Sequence, residues 1–556
     1  MNKRTTPAAY PQIGQRPQTP ALAGGLLLLA LSGGSHGDAI CAIDAIQAMA
    51  PADTTISAAE SVAEPAPHCR IDGHVTTTNP GPNQVNFRLQ LPDSDWNGRY
   101  YFIGVGATGG AVPTDSQIPA GNPVLRGFAV AGTDTGHQSV ADWTFLAESE
   151  AKAVDHAHRG AHVTAVATQQ ITRQYYGADS MYRYHSGCSG GGRMGMEIIT
   201  RHPEDYDGVL LGAPGIGPER GAETMLAFIY AAQQLHREPG AWVSPAKLAM
   251  AEQHVTRACD ALDGATDDII WEHEACSYDF KQLQCPAGDS DDCLTAPEIR
   301  TIEALLRGPQ GPKGPIKSGF PISNMSSWSL FLGMSPPPWP EKITRENFQQ
   351  ASPGYMIGNT LAQAYFGKDF QGLTDFDFND QAQLDAWWAA AERIGYGYSM
   401  STDISGVQKA GGKIIFWNGV SDPCCIDTEL IKYYKDAGTT LGGMEKLASF
   451  SRFYRIPGMA HCGAGSGPQD APDKMLEALI DWVENGESPA DIVTHRGDRA
   501  ELLFADPDTG TVSGVMVPPS QGSARDFLIC PYPQKSVFNG KTGGEMDAGN
   551  WSCKSL

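Results

Sequence analysis

The chain is poor in positive charge: 40 Lys and Arg stand against 63 Asp and Glu in 556 residues, a formal net charge of -23. The acidic excess is spread along the sequence rather than gathered in a tail. A surface built to bind phosphates is therefore excluded, and with it a nucleic-acid partner. Long apolar runs are lacking too. The apolar segment at residues 21–31 (ALAGGLLLLAL) falls short of the roughly 20 residues that a spanning helix needs, so no stable membrane insertion is expected. None of the cysteines has the spacing of a zinc site, and no tandem repeat is visible. What is present is an ordinary globular composition, 41% hydrophobic and 19% charged, with 63 Gly and 39 Pro that mark many tight turns. The length exceeds one compact core and predicts a core with a large insertion, or two domains.

Lys3, Arg4 and Arg16 precede the apolar segment, and small and polar residues follow it up to Ala39. This is the order of a secretory signal peptide, assigned here to residues 1–39. Cys41 follows Asp38-Ala39-Ile40 and lacks the small aliphatic residues that precede a lipidated cysteine. The expected product is a free protein, secreted or periplasmic. The cysteines agree, being 12 in number and partly in close pairs: Cys259 and Cys276, Cys285 and Cys293, Cys530 and Cys553. In an exported chain such pairs read as disulfides closing short loops, and Cys41 and Cys69 are also counted as disulfide cysteines.

Residues 85–91 (VNFRLQL), 99–105 (RYYFIGV) and 128–131 read as strands, the second ending in a glycine-rich turn at 104–110. Residues 153–176 have helical amphipathicity, 181–185 read as a strand, 190–202 as a helix and 209–211 as a buried strand. This alternation predicts a parallel sheet with helices on both faces. From 216 to 404 regular alternation is absent, and segments such as GPQGPKGP and SPPPWP are irregular. The core pattern returns with strands at 413–417 (KIIFW) and 450–456 (FSRFYRI) and a helix at 473–484.

Gly187-Cys188-Ser189-Gly190-Gly191 is a G-x-S-x-G sequence between an expected strand and an expected helix. Glycines two residues either side of the serine permit a tight turn that exposes Oγ, while the Gly190 N–H at the helix start is placed to bind an oxyanion. A nucleophilic serine needs a base, and the base an orienting acid, following it in the order acid then base. KIIFW runs into Asn418-Gly419-Val420-Ser421-Asp422, and FYRI into Pro457-Gly458-Met459-Ala460-His461. Asp422 and His461 are the candidates; Asp427 is the reserve acid, and His137 a reserve histidine better explained as structural. Cys188 and Cys462 flank Ser189 and His461, so contact between serine and histidine would bring them within disulfide range.

With these residues in view, the chain resembles the tannase/feruloyl esterase family, which includes mono(2-hydroxyethyl) terephthalate hydrolase. The resemblance rests on Gly187-Cys188-Ser189-Gly190-Gly191, Ser421-Asp422 and Pro457-Gly458-Met459-x-His461-Cys462, and extends to 99–110, 133–137, 212–215 and Cys530-Pro531-Tyr532-Pro533. It implies an α/β-hydrolase fold with a large inserted lid domain: core at 40–215 and 405–556, lid at 216–404. It implies a disulfide between Cys188 and Cys462. It also implies a structural calcium ion (Ca2+) in the acidic loop 260–269, with side-chain oxygens from Asp260, Asp263 and Asp267 and backbone oxygens from Ala265 and Ile269; an acidic surface turn is the plain alternative. In the turn after Val105, Gly106 and Ala107 compete as second oxyanion donor, with Ala107 preferred. Cys424 and Cys425 have no counterpart in the family pattern and could be a vicinal disulfide, an intermolecular pair or free thiols.

The expected function is hydrolysis of a small-molecule aromatic ester through an acyl-enzyme. The family implies feruloyl, galloyl or terephthalate-monoester substrates, the first two being preferred because no lid arginine beyond Arg345 offers itself to a terephthalate carboxylate. Trp328, Phe331, Tyr365 and Phe366 are candidates for an aromatic acyl pocket, with core packing as the alternative for each. A serine peptidase or acyltransferase on the same fold, and an inactive calcium-stabilised binding protein, are the rival classes.

Overall fold

The computed structural model describes residues 40–113, 123–215, 222–340, 347, 350–394, 401–497, 524–540 and 543–555. The expected leader (1–39) and Arg345 lie outside them. The core is a nine-stranded sheet in the order β1-β2-β3-β5-β4-β6-β7-β10-β11. Its strands are β1 (Thr54–Val62), β2 (His68–Thr77), β3 (Asn83–Pro92), β4 (Arg99–Gly104), β5 (Ala129–Thr133), β6 (Tyr182–Cys188), β7 (Gly208–Gly212), β10 (Lys413–Gly419) and β11 (Ser451–Ile456). From β5 to β11 all neighbours are parallel. The sheet is nevertheless mixed, contrary to the expectation of a purely parallel one, because β1, β2 and β3 pair antiparallel with one another and β3 with β5. β1 alternates buried with exposed residues at its start and has no buried residue beyond, as suits a strand at the sheet edge.

The central strands read as continuous apolar runs because both faces are covered. In β4, Tyr100 and Phe102 enter one hydrophobic cluster and Tyr101 and Ile103 the other; in β10, Ile414 and Phe416 oppose Ile415 and Trp417. Helices Gly160–Tyr176, Gly190–Arg201 and Asp427–Leu441 cover the first face through Ala165, Ile198 and Leu430. Helix Ala471–Asn485 covers the second through Met475, Leu476 and Leu479.

Between β7 and β10 the chain is not irregular throughout, as the composition suggested. It forms helices Glu223–His236, Pro245–Cys259, Ala296–Arg307, Pro353–Phe366 and Gln381–Arg393. Their starts carry local signals: Thr295 and Glu298 form a capping box ahead of Ala296–Arg307, and Ser244 caps Pro245–Cys259. GPQGPKGP forms a small hairpin, β8 (Gln310–Gly311) with β9 (Gly314–Pro315). This insertion packs largely on itself and is tied to the core by a buried ion pair between Lys317 and Glu429. Near the C-terminus, β12 (Ile492–Arg496) pairs with β13 (Arg525–Ile529), and β14 (Gln534–Phe538) with β15 (Trp551–Ser555).

The disulfides are Cys41–Cys69, Cys188–Cys462, Cys259–Cys276, Cys285–Cys293 and Cys530–Cys553, so the three close sequential pairs form as the spacing predicts. Among the described residues no helix is long and apolar enough to cross a membrane.

Candidate active site

The loops at the C-terminal ends of β4, β6, β10 and β11 meet over the parallel part of the sheet, where open α/β sheets bind ligands. β6 ends at Cys188 and helix Gly190–Arg201 starts at once, leaving Ser189 alone in the turn with φ 61° and ψ -119°. A side chain with positive φ costs about 1–3 kcal/mol and is kept only where its surroundings dictate it. Here the Ser189 N–H donates to the Gly212 carbonyl (3.0 Å), and the Ser189 carbonyl accepts from the Arg193 N–H (2.9 Å). The glycines are sterically required: a Cβ on Gly187 would lie 2.6 Å from Gly191 C, and one on Gly191 would lie 2.4 Å from Gly104 O.

Asp422 follows β10 and His461 follows β11. Their side chains are joined by a 2.8 Å hydrogen bond between His461 Nδ1 and Asp422 Oδ2. Asp422 is fully buried, and its other oxygen accepts from the N–H groups of Cys424 (2.8 Å) and Cys425 (3.0 Å). Burial favours the neutral ring of His461, but the Asp422 carboxylate outweighs it and raises the proton affinity of the imidazole. The Cys188–Cys462 disulfide, with Cα atoms 5.9 Å apart, links the residue before Ser189 to the residue after His461. Asp422 and His461 are thus in direct contact, and the loops that carry Ser189 and His461 are covalently joined.

Ala107, also at positive φ (49°), lies against the start of the serine helix. A Cβ on Gly190 would come within 2.3 Å of Ala107 O and 3.1 Å of Ala107 N, so the backbones of the two proposed oxyanion donors adjoin. The two reserve residues are committed elsewhere. His137 Nε2 bonds the Thr108 carbonyl (2.9 Å) and its Nδ1 accepts from the Ser139 N–H (3.1 Å), while burial lowers its pKa to about 4. It braces the turn that carries Ala107. Asp427 is paired with His273 (3.2 Å) and Arg455 (2.6 Å).

The model of the family described as tannase and feruloyl esterase matches residues 69–554. The chain belongs to this family. Among relatives, mono(2-hydroxyethyl) terephthalate hydrolase of Piscinibacter sakaiensis is 27% identical over 549 residues, covering 87% of this chain and 84% of that one. "Probable feruloyl esterase B-1" of Aspergillus fumigatus is 29% identical over 504 residues, covering 87% and 85%. Of solved structures, feruloyl esterase B from Aspergillus oryzae superposes with a TM-score of 0.73 at 23% identity, over 93% of this chain and 100% of that one. Tannin acyl hydrolase from Aspergillus niger gives 0.70 at 19%, over 93% and 95%. These two likenesses show the α/β-hydrolase fold, and family membership makes the chain a carboxylic-ester hydrolase.

For a tannase/feruloyl esterase family member, the four aromatic candidates separate cleanly. Phe331 stands edge-on to the His461 ring (centroids 5.2 Å) and stacks on Phe228 (4.8 Å). Trp328 is fully buried in the insertion and donates to the Pro321 carbonyl (3.1 Å). Tyr365 and Phe366 pack with Trp387 inside the insertion. Of the four, Phe331 stands against a triad candidate, whereas Trp328, Tyr365 and Phe366 meet residues of the insertion, as the core-packing alternative allows.

In the acidic loop, Asp260 accepts from the N–H groups of Asp267 (3.2 Å) and Asp268 (3.1 Å), and Asp263 from those of Ala265 (3.0 Å) and Trp271 (3.2 Å). Asp267 meets Arg525 at 2.7 Å. Burial pushes the Asp263 carboxyl up to about 7, with Asp267 and Asp260 adding to the shift. Three carboxylates against one guanidinium leave unbalanced negative charge beside buried Ala265 and Ile269, and these oxygen donors suit a hard cation. The carboxylates face their own loop's N–H groups and are not among the convergent clusters of the described residues.

One contact escaped the sequence reading. Ser421, next to the acid, bonds Ser323 (2.7 Å) and Asn324 (3.1 Å) of the insertion, and Asn324 Oδ1 accepts from the Ser466 N–H (3.2 Å). Cys424 and Cys425 are buried free thiols with sulfurs 3.4 Å apart. The contacts of Ser421 and Ser466 with the insertion carry no local sequence signal, whereas free thiols were among the alternatives left open for Cys424 and Cys425.

Proposed function

We propose that the protein is an exported serine esterase acting on esters of aromatic acids, with feruloyl or galloyl esters ahead of terephthalate monoesters. The observation that carries this reading is the His461–Asp422 pair, joined through Cys188–Cys462 to the strained turn bearing Ser189. His461 takes the proton of Ser189 Oγ as that oxygen attacks the ester carbonyl. The oxyanion is received by the N–H groups of Gly190 and Ala107, each worth about 3 kcal/mol by comparison with other hydrolases. His461 protonates the departing alcohol, then activates the water that releases the acid. Phe331, edge-on to the imidazole, supplies an apolar wall on the acyl side, in favour of an aromatic acid. The insertion at 216–404 is the lid in this reading. Export is supported by the five disulfides.

In the acidic loop, calcium would be held by Asp260, Asp263 and Asp267 with the carbonyls of Ala265 and Ile269, and would supply charge neutralisation, not chemistry. A cation bound at one hundred times its Kd stabilises the fold by about 2.7 kcal/mol, so calcium added to chelator-treated protein should raise Tm. Hydrolysis of methyl ferulate, methyl gallate and mono(2-hydroxyethyl) terephthalate, with Ser189→Ala alongside, tests the main reading. Activity on one of them that disappears in Ser189→Ala supports it and selects the acyl group. Folded, calcium-loaded protein inert on all three removes the aromatic-ester assignment and favours the peptidase reading.

A further inference from the structure

Ten of the 12 cysteines are paired; Cys424 and Cys425 are the two that are not. Adjacent residues of an extended chain point to opposite sides. Here the chain turns after Asp422, both N–H groups bond Asp422 Oδ1, and the two sulfurs lie 3.4 Å apart. One ligand atom from each of Cys424, Cys425 and His461 lies within 4.8 Å of the other two. Zinc binds sulfur at about 2.3 Å and imidazole nitrogen at about 2.0–2.1 Å, so ligand atoms around one ion stand roughly 3.5–4 Å apart. Two thiols and an imidazole, screened from water in this arrangement, match a soft-donor site.

We propose that Cys424, Cys425 and His461 form a site for a thiophilic cation, of which Zn2+ is the type, and that its occupancy stops ester hydrolysis by engaging the histidine. The step is a ligand exchange without redox change: the cation takes two thiolate sulfurs and one imidazole nitrogen, and the two thiol protons leave to water. Water or Asp422 completes the sphere. Two other clusters among the described residues lack this character. His273, Glu274 and Asp427 already have the Arg455 guanidinium among them, which repels a cation. His162, His202 and Asp205 offer only nitrogen and oxygen and lie partly exposed. Cation binding is independent of the catalytic scheme; its inhibitory effect rests on His461 being the general base.

The test uses the full mature chain in calcium buffer without chelator. Thiol counting on the unfolded, unreduced protein is expected to find two thiols. Co2+ added to Ser189→Ala should give thiolate-to-cobalt charge-transfer absorption that saturates at one equivalent and is absent when Cys424→Ser and Cys425→Ser are added. Zn2+ should lower wild-type hydrolysis at least tenfold. In the Cys424→Ser/Cys425→Ser protein the ratio of rates with and without zinc should stay within twofold, a ratio in which any change of basal rate cancels. Fewer than two thiols, no thiolate band, or equal inhibition of wild type and variant would each overturn the proposal. Hydrolysis surviving in Ser189→Ala would refute the serine mechanism while leaving the cobalt result to stand by itself.

Discussion

In an Asp422→Asn variant the side-chain oxygen has one place to go. The buried N–H groups of Cys424 and Cys425 both donate to Oδ1, at 2.8 and 3.0 Å. An amide NH2 set against them would leave buried donors unsatisfied, at about 1–3 kcal/mol each. The carboxamide oxygen therefore stays at that position, and the NH2 takes the place of Oδ2, 2.8 Å from His461 Nδ1. Nδ1 must now accept, so the single proton of the neutral ring moves to Nε2. The nitrogen that should receive the serine proton is then already protonated. The same inversion in another serine triad lowers kcat by about 10^4, equivalent to about 5.5 kcal/mol of barrier. We expect a loss of that order in kcat at neutral pH on a chromogenic aromatic ester, with KM little changed and thermal stability close to wild type. A kcat within tenfold of wild type would refute both the orientation of the pair and the role given to His461.

Gly190→Ala should cost at least a hundredfold in kcat, because the added methyl would fall 2.3 Å from Ala107 O and part the two oxyanion donors; activity near wild type would show that this contact relaxes freely. Lys317→Met strands Glu429 in the core and should destabilise by about 3–5 kcal/mol in urea unfolding, whereas adding Glu429→Leu should recover most of that. Asp427→Asn tests linkage. Burial disfavours both charged forms, but Arg455 and His273 outweigh it and lower Asp427, while Asp427 raises His273. The Asp427 contribution is present above its unfolded pKa and lost as pH falls through the depressed value. The His273 contribution is full below its unfolded pKa, about 6.5, and lost as pH rises through the raised one. The stability gap between wild type and variant should therefore peak near pH 5; a gap that grows steadily with pH would contradict the sign.

The framework of the candidate site was legible because each part is local. KIIFW and FYRI are short buried runs ending in loops with Gly419 and Gly458, and Gly187-Cys188-Ser189-Gly190-Gly191 announces its turn by composition. The disulfide across Cys188 and Cys462 could be anticipated because each cysteine touches a triad candidate in sequence. The antiparallel β1 and β2 were missed because polar residues, exposed in β1 and buried or half-buried in β2, break the apolar pattern. The insertion's helices were missed because intervening Pro- and Gly-rich loops masked their periodicity. Trp328 and Phe331 illustrate the limit for a binding surface. They are three residues apart and similar in hydrophobicity, yet one fills the insertion's interior and the other meets His461. Which aromatic faces the site is decided by packing between segments distant in sequence, and no local pattern encodes it.

The anchors of the insertion fall close to the loops of the candidate triad. Ser323 and Asn324 bond Ser421 beside the acid, Asn324 also holds Ser466 a few residues beyond the histidine, and Lys317 is paired in the interior with Glu429. To swing this part of the insertion aside, the protein would have to strand a buried charge and unpin Ser421, the residue next to Asp422. This stretch therefore behaves as a masonry wall rather than a door. For the proposed esterase, this would let residues that never touch the breaking bond contribute to the selection among esters.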